Sequence, residues 1–588
     1  MKNKNLFIIL ILQLFYFGCD STMENSESDK LHQFFADEWE KGLQNSPESA
    51  SWYGDDRFND RLNDRSLNKI STDHQDNIKT LKNLVQIKRT QLNKEDQLNY
   101  DLYKQSLIQS VESYPFKSYL IPITQLGGVH IGLPNMVELM PFDTKKDFNN
   151  YFSRLEQIPT AIQQIMEIMK RGLAEKIMPP KATIESVSEQ IQKQTEIEIE
   201  ESPFYKPFEN IDLEISDNEK DSLTQKGVNK IEDEIFPAYR ELNKFFTEEY
   251  YPNARDDFAI SSIPNGTEYY QYLIKYHTTT DKTAKEIHET GLNEVDRIRT
   301  EMDNIISELK FEGTFSEFLD FLRTSPQFYY DKPEDLIEGY RAICKRVDPE
   351  LSRFFGKLPR TPYGVKPIPE YQAVSSPTAY YYGPSANGER PGYFWANTYN
   401  LKMRPKYEMA VLAIHEAVPG HHLQIALANE LENVPKFRKH SGHTAFVEGW
   451  GLYSESLGDE MGIYDDPYSK FGQLTYEMWR ACRLVVDTGI HAFGWDRQRA
   501  IDFMAKNTAK TMFDIENEID RYISWPGQAL AYKIGELKIK EIRKNAEQIL
   551  GDEFDIREFH DKLLESGSLP LDILENKMMV YVKQKSGL

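Results

Sequence analysis

The chain has 588 residues, with 93 acidic against 70 basic side chains and a formal net charge of -23. That balance excludes nucleic acid as a partner, because a phosphate backbone needs clustered Lys and Arg; the acidity reads as solubility. A hydrophobic content of 40% and an aromatic content of 12% exclude a disordered chain.

The first 18 residues read as a signal peptide. Lys2 and Lys4 form a short basic region, and Leu6 to Phe17 is apolar but too short to span a bilayer comfortably. The run ends at Gly18-Cys19, which resembles a bacterial lipoprotein signal, although Tyr16 stands where Leu is usual. Cys19 is then the lipidated N-terminus and residues 19–30 a polar tether. The expected location is the cell envelope, outside the cytoplasm, with the membrane touched through the lipid only. An ordinary secretory signal or an uncleaved anchor is the alternative. Cys344 and Cys482 each fall in a helical pattern and read as buried free thiols.

Residues 31–250 read as a helical region, with apolar positions at three and four spacing. Pro115 to Pro141 is irregular and reads as a loop packing on the functional site; 145–176 and 218–250 are amphipathic helices, the second interrupted near Pro237. Residues 251–588 read as the catalytic region, continuous with the first. Ile260 to Tyr276 mixes turn signals with β-formers. Thr283 and Glu286 can box the start of a helix through Leu309, and Thr314 begins another. Four prolines exclude a helix over 359–369. Ala379 to Asn397 reads as two aromatic strands around a Pro/Gly turn. The fold class expected is mainly α, with a small antiparallel sheet beside the active-site helix.

That helix is VLAIHEAVPGHHLQIALANE, residues 411–430, with His415, Glu416, His421 and His422 in an apolar context. A catalytic zinc takes three ligands from His and Asp or Glu and leaves one position for water. The usual HExxH spacing is absent, since Pro419 stands where the second His belongs. On a straight helix His422 would share His415's azimuth but lie about 10 Å away, too far for one ion. A bulge at Pro419-Gly420 brings His421 into the second ligand's place and leaves His422 as a neighbour or an alternative ligand. Glu448, in AFVEGWGLYSE, is a carboxylate among apolar residues and so calls for a partner or a metal. Glu455, seven residues on, can orient a ligand histidine. Arg483, Asp487 and His491 are spaced by four and share a helical face. That face is either an ion-pair ladder or a cleft lining, in which Arg483 binds a peptide carboxylate. Tyr393 and Asn397 lie on the aromatic strand pair, where an extended peptide can dock at a sheet edge; simple strand packing is the alternative.

Together, HEAVPGHHLQ, FVEGWGLYSE, RLVVDTGIH and PGQALAYKIG resemble the bacterial domain of unknown function 885 family, regarded as candidate zinc metallopeptidases. The family is distantly similar to helical gluzincins, where HExGH precedes a glutamate ligand in an FVE-like segment. Aligning Gly420-His421 with that Gly-His makes Val418-Pro419 a two-residue insertion. The resemblance implies one Zn2+ on His415, His421 and Glu448, Glu416 as general base, and Tyr532, in PGQALAY, as oxyanion donor. It implies a peptidase in which zinc acidifies water and polarises the scissile carbonyl, and Glu416 moves the proton to the leaving amine. A metal-dependent hydrolase of a non-peptide amide or ester, or a non-catalytic surface binding lipoprotein, would present the same residues.

Overall fold

A computed structural model describes residues 26–373, 376–384 and 390–587. The signal segment and Cys19 lie outside them. The tether is shorter than expected, because helix α1 (Glu27–Asn45) already begins inside it. Ser26 caps α1 and the Asp29 side chain reciprocates.

Helices make up nearly all of the regular structure. The N-terminal region is built on α2 (Lys145–Glu175), which buries Phe148, Phe152, Leu155, Ile162 and Met169 at helical spacing. Residues 217–250 form one helical run. Pro237 falls in its first regular turn after a π-type turn at Ile231–Ile235, so the interruption is a local widening rather than a break. The glycine-containing 115–141 stretch packs on the N-terminal helices rather than on the site: Val129 and Leu133 are buried there and the Val129 carbonyl accepts from Tyr239.

The turn signals at 260–265 do form turns, but the β-formers after them do not form a strand: they lie in helix α3 (Gly266–Thr278), whose Tyr270, Leu273, Ile274 and His277 are buried at three and four spacing, and that burial outweighs the β-propensity of the tyrosines. Helix α4 (Ala284–Glu308) carries the capping box of Thr283 and Glu286.

The sheet is mixed rather than purely antiparallel. Strands β2 (Ala379–Tyr382) and β3 (Gly392–Ala396) pair antiparallel as expected, with Ala379 opposite Ala396. Strand β1 (Tyr363–Pro367), from the proline-rich stretch, adds in parallel on the other side of β3. Its prolines sit at the strand's ends, where an edge strand tolerates a missing donor.

Five helices frame the site: α5 (Met409–Glu416), α6 (His421–Asn429), α7 (Thr444–Glu460), α8 (Pro467–Phe493) and, after α9 (Met512–Ser524), α10 (Ala531–Leu550). Helices α7 and α10 cross with backbones in contact. A Cβ on Gly535 would lie 1.9 Å from the Ala445 carbonyl, and one on Gly449 2.6 Å from the Gly535 backbone. The largest core cluster runs from Leu62 to Val582 and joins residues on both sides of position 250. Cys344 and Cys482 are buried free thiols.

Candidate metal centre

Helix α5 stops at Glu416 because the next residues cannot continue it. The Val418-Pro419 peptide is cis. The chain returns to helical bonding in steps: the Gly420 amide donates six residues back to the Ile414 carbonyl, the His422 amide five back to that of Ala417, and the Gln424 amide four back to that of Gly420. The Pro419 carbonyl, freed by the break, accepts from Trp450 Nε1 at 2.8 Å. The looped-out pair is thus fastened to α7, the helix that carries Glu448.

The break brings His421 level with His415. Their ring centres are 4.6 Å apart and nearly perpendicular. Glu448 Oε2 lies 3.6 Å from Nε2 of each. Among the described residues these three form the one His/Cys/Asp/Glu group whose ligand atoms fall within 4.8 Å of one another. Atoms placed about 2.0–2.2 Å from one zinc ion are roughly 3.3–3.6 Å from each other in a tetrahedral arrangement. The donor set therefore fits a single ion with one position to spare.

The surroundings favour positive charge at this point. Burial pulls His415 down, but hydrogen bonds to Glu448 and Glu455 outweigh it and hold the ring up to about 9. Burial likewise opposes the charged form of Glu448, yet His415 and His421 keep its carboxyl well below the ordinary range. A proton supplies one positive charge here; a divalent cation supplies two.

Glu455 is hydrogen-bonded to His415. Its Oε1 accepts from His415 Nδ1 at 2.8 Å, which leaves Nε2 to face Glu448. His421 is held differently. Gln424 Nε2 lies 3.0 Å from its Nδ1 and donates to the Val447 carbonyl at 2.9 Å. Ligation through His421 Nε2 places the proton on Nδ1, so Gln424 must then turn its amide oxygen toward the ring.

His422 lies outside the group of His415, His421 and Glu448. Its Nδ1 accepts from the Tyr381 hydroxyl of β2 at 2.9 Å, its ring packs on Tyr363 of β1, and burial pushes it down to about 4. It ties the sheet to α6. Glu416, 8% exposed, directly follows His415 at the mouth of the break, and no partner for its carboxylate is found among the described residues.

Tyr532 sits at the second position of α10, near enough to Glu448 for that charge to raise its pKa in addition to burial. The Arg483 guanidinium lies 4.6 Å from its ring centre and acts in the opposite sense.

The face of α8 carrying Arg483, Asp487 and His491 is neither an ion-pair ladder nor, over most of its length, a cleft. Asp487, fully buried, accepts from the Tyr270 hydroxyl and the Gly527 amide. His491 Nδ1 accepts from the Ile260 amide, and its Nε2 meets the Tyr522 carbonyl. Asp487 thereby holds the turn that leads into Tyr532, and His491 ties the end of α9 to residue 260. Of the three, Arg483 alone packs on Tyr532. Asn397 is spent on the segment before β2, donating to the Ala373, Ser376 and Pro377 carbonyls. Tyr393 lies on β3, the central strand, so the sheet edge expected for it does not exist there.

Sequence reasoning passes over Arg480, which lies 3.7 Å from Glu455, and the Trp450 and Gly451 contacts that fix the break and the His415 ring. A buried arginine in the apolar run WRACRLVV is the signal available for the first.

A family profile described as "Bacterial protein of unknown function (DUF885)" matches residues 47–578. The chain belongs to this family. Two solved structures resemble the DUF885 chain along nearly its whole length. One is a protein of Colwellia psychrerythraea proposed to be a lipoprotein, 29% identical, with a TM-score of 0.87 over 95% of this chain and 100% of that one. The other, from Shewanella oneidensis, is a proposed lipoprotein of unknown function. It is 21% identical with a TM-score of 0.75, over 94% of this chain and 100% of its own; at that identity the likeness shows the fold. No curated protein matches. Among the described residues no helix is long and apolar enough to cross a membrane.

Proposed function

We propose that this DUF885 protein is a zinc-dependent peptidase, held outside the cytoplasm by a lipid on Cys19. The observation that carries the reading is the convergence of His415, His421 and Glu448 beside an uncommitted Glu416, with Glu455 fixing the tautomer of His415. His415, His421 and Glu448 would hold the ion. A zinc ion there supplies Lewis acidity to a carbonyl and lowers the pKa of water. The protein's own groups do the rest. Glu416 takes a proton from the attacking water and returns it to the departing amine. Tyr532 offers its hydroxyl to the carbonyl oxygen as charge develops there, and the Arg483 guanidinium over its ring makes the phenol a better donor. The lipid anchor is supported by the Gly18-Cys19 signal and by the lipoprotein description of the Colwellia relative.

The test is hydrolysis of a mixed peptide library by zinc-loaded protein and by Glu416→Gln. The variant should bind zinc normally and lose at least about 10^2-fold in rate, the contribution expected of a positioned base. Equal hydrolysis by both proteins rejects the assignment. Hydrolysis of ester and non-peptide amide probes, with peptides untouched, favours the second reading of the same site.

A further inference from the structure

Beside Tyr532 lies a wall rich in buried cations. Arg483 is 6% exposed and makes two hydrogen bonds, from Nε to the Tyr522 hydroxyl and from Nη2 to Glu518. Arg521 also pairs with Glu518, through both Nε and Nη2. Two guanidinium groups thus share one carboxylate. No other carboxylate pairs with either among the described residues. The same wall carries Arg480 and Lys510. Lys510 is matched by Glu408 at 2.9 Å, but the only carboxylate Arg480 reaches is Glu455, already engaged by His415, and its buried Nε has no partner. Arg480, Arg483 and Lys510 all lie within 5.8 Å of the half-buried Trp479 ring. The local shortage is therefore at Glu518, one carboxylate shared by Arg483 and Arg521, while Lys510 and Arg480 face Glu408 and Glu455.

Two buried cations on one carboxylate are costly, and a buried donor without an acceptor adds to the cost. Such an arrangement persists where a ligand supplies the missing charge. The uncommitted nitrogen, Arg483 Nη1, belongs to the guanidinium stacked on Tyr532, and the helix that carries Tyr532 packs at Gly535 directly on Gly449, the residue after Glu448. The vacant donor is therefore one ring away from the metal ligands.

We infer that Arg483, backed by Arg521, anchors a carboxylate of the substrate beside the metal centre, so that the enzyme acts on peptides bearing a carboxylate close to the scissile bond. The inference rests on the peptidase reading for the word peptide, not for the carboxylate. Two sources can present that group: the free C-terminus of a peptide, which makes the protein a carboxyl-end exopeptidase, or an acidic side chain.

Binding separates this inference from turnover. Zinc-loaded Glu416→Gln protein is titrated with four N-terminally labelled hexapeptides. They are an alanine-rich free acid, its C-terminal amide, and two amides with glutamate or glutamine near the middle. Free acid binding at least about tenfold more tightly than its amide assigns the C-terminal source; the glutamate amide exceeding the glutamine amide by that factor assigns the side chain. In either case Arg483→Gln should erase the difference and Arg483→Lys restore part of it. Equal binding within each pair, no binding by any peptide, or a preference that survives Arg483→Gln overturns the inference. The paired peptides are compared on protein with Arg483 in place, so a misfolded Arg483→Gln leaves that comparison standing. Absence of hydrolysis of the same peptides by the zinc-loaded wild type, despite selective binding, would instead count against the peptidase reading alone.

Discussion

The ring of His415 occupies the space where a side chain at Gly451 would stand. A Cβ at position 451 would stand 2.6 Å from His415 Cε1 and 3.0 Å from both ring nitrogens. The second glycine of FVEGWGLYSE is therefore what lets α5 and α7 bring a histidine and a glutamate to one point. Gly451→Ala should displace the ring and weaken zinc binding by about tenfold or more, as loss of a ligand's supporting contact does. Chelator competition measures it. Gly42→Ala, on α1 with nothing within 4 Å, is the control and should leave both affinity and stability close to wild type.

Glu455 should matter for tautomer rather than for bulk charge. In Glu455→Gln the amide still accepts from Nδ1, but without the negative charge that strengthens the ligand. Zinc affinity should fall roughly 10- to 100-fold, with thermal stability of the metal-free protein reduced as well. An unchanged affinity would show that Glu455 merely fills space.

The metal-free protein should show a distinctive pH response. His415 is raised from an ordinary 6.5 to about 9. A raised pKa means the protonated form is favoured in the folded state. That stability is complete below about pH 6.5 and is lost as pH climbs through about 9. For a shift of that size the loss is on the order of 3 kcal/mol. Melting temperatures in EDTA should therefore decline between pH 7 and 9, while zinc-loaded protein, in which the metal replaces the proton, should hold steady or gain. Parallel curves with and without zinc would contradict the charge argument.

How far the sequence leads differs from residue to residue. The helical shell and its caps at Thr283 and Thr314 are readable, because capping and apolar spacing are local signals. The break at Pro419-Gly420 is readable too, since no straight helix could use both histidines. The parallel strand Tyr363–Pro367 is not, because pairing to β3 is a contact across sequence and its prolines mask the pattern. Nor are the roles of Asp487, His491 and Asn397. Each looks like a cleft residue by type, yet each is consumed by backbone groups from segments that sequence spacing does not place nearby. Arg480 is hidden for the same reason: its partner Glu455 sits on another helix.

His422 separates the ligand from its neighbour. His422→Phe removes the acceptor for Tyr381 and the tie between β2 and α6, and should cost about 1–2 kcal/mol of stability through the orphaned hydroxyl. It should leave zinc binding nearly intact. Denaturant melts and metal content, read on the same sample, distinguish the two effects.

The central claim is that one ion sits between His415, His421 and Glu448. Metal content by mass spectrometry on protein purified without chelators, reloaded with zinc and desalted, tests it most directly. Wild type and His422→Phe should each carry about one zinc per chain and His421→Ala almost none. Wild type without stoichiometric zinc, or His421→Ala retaining it while His422→Phe loses it, would contradict the assignment.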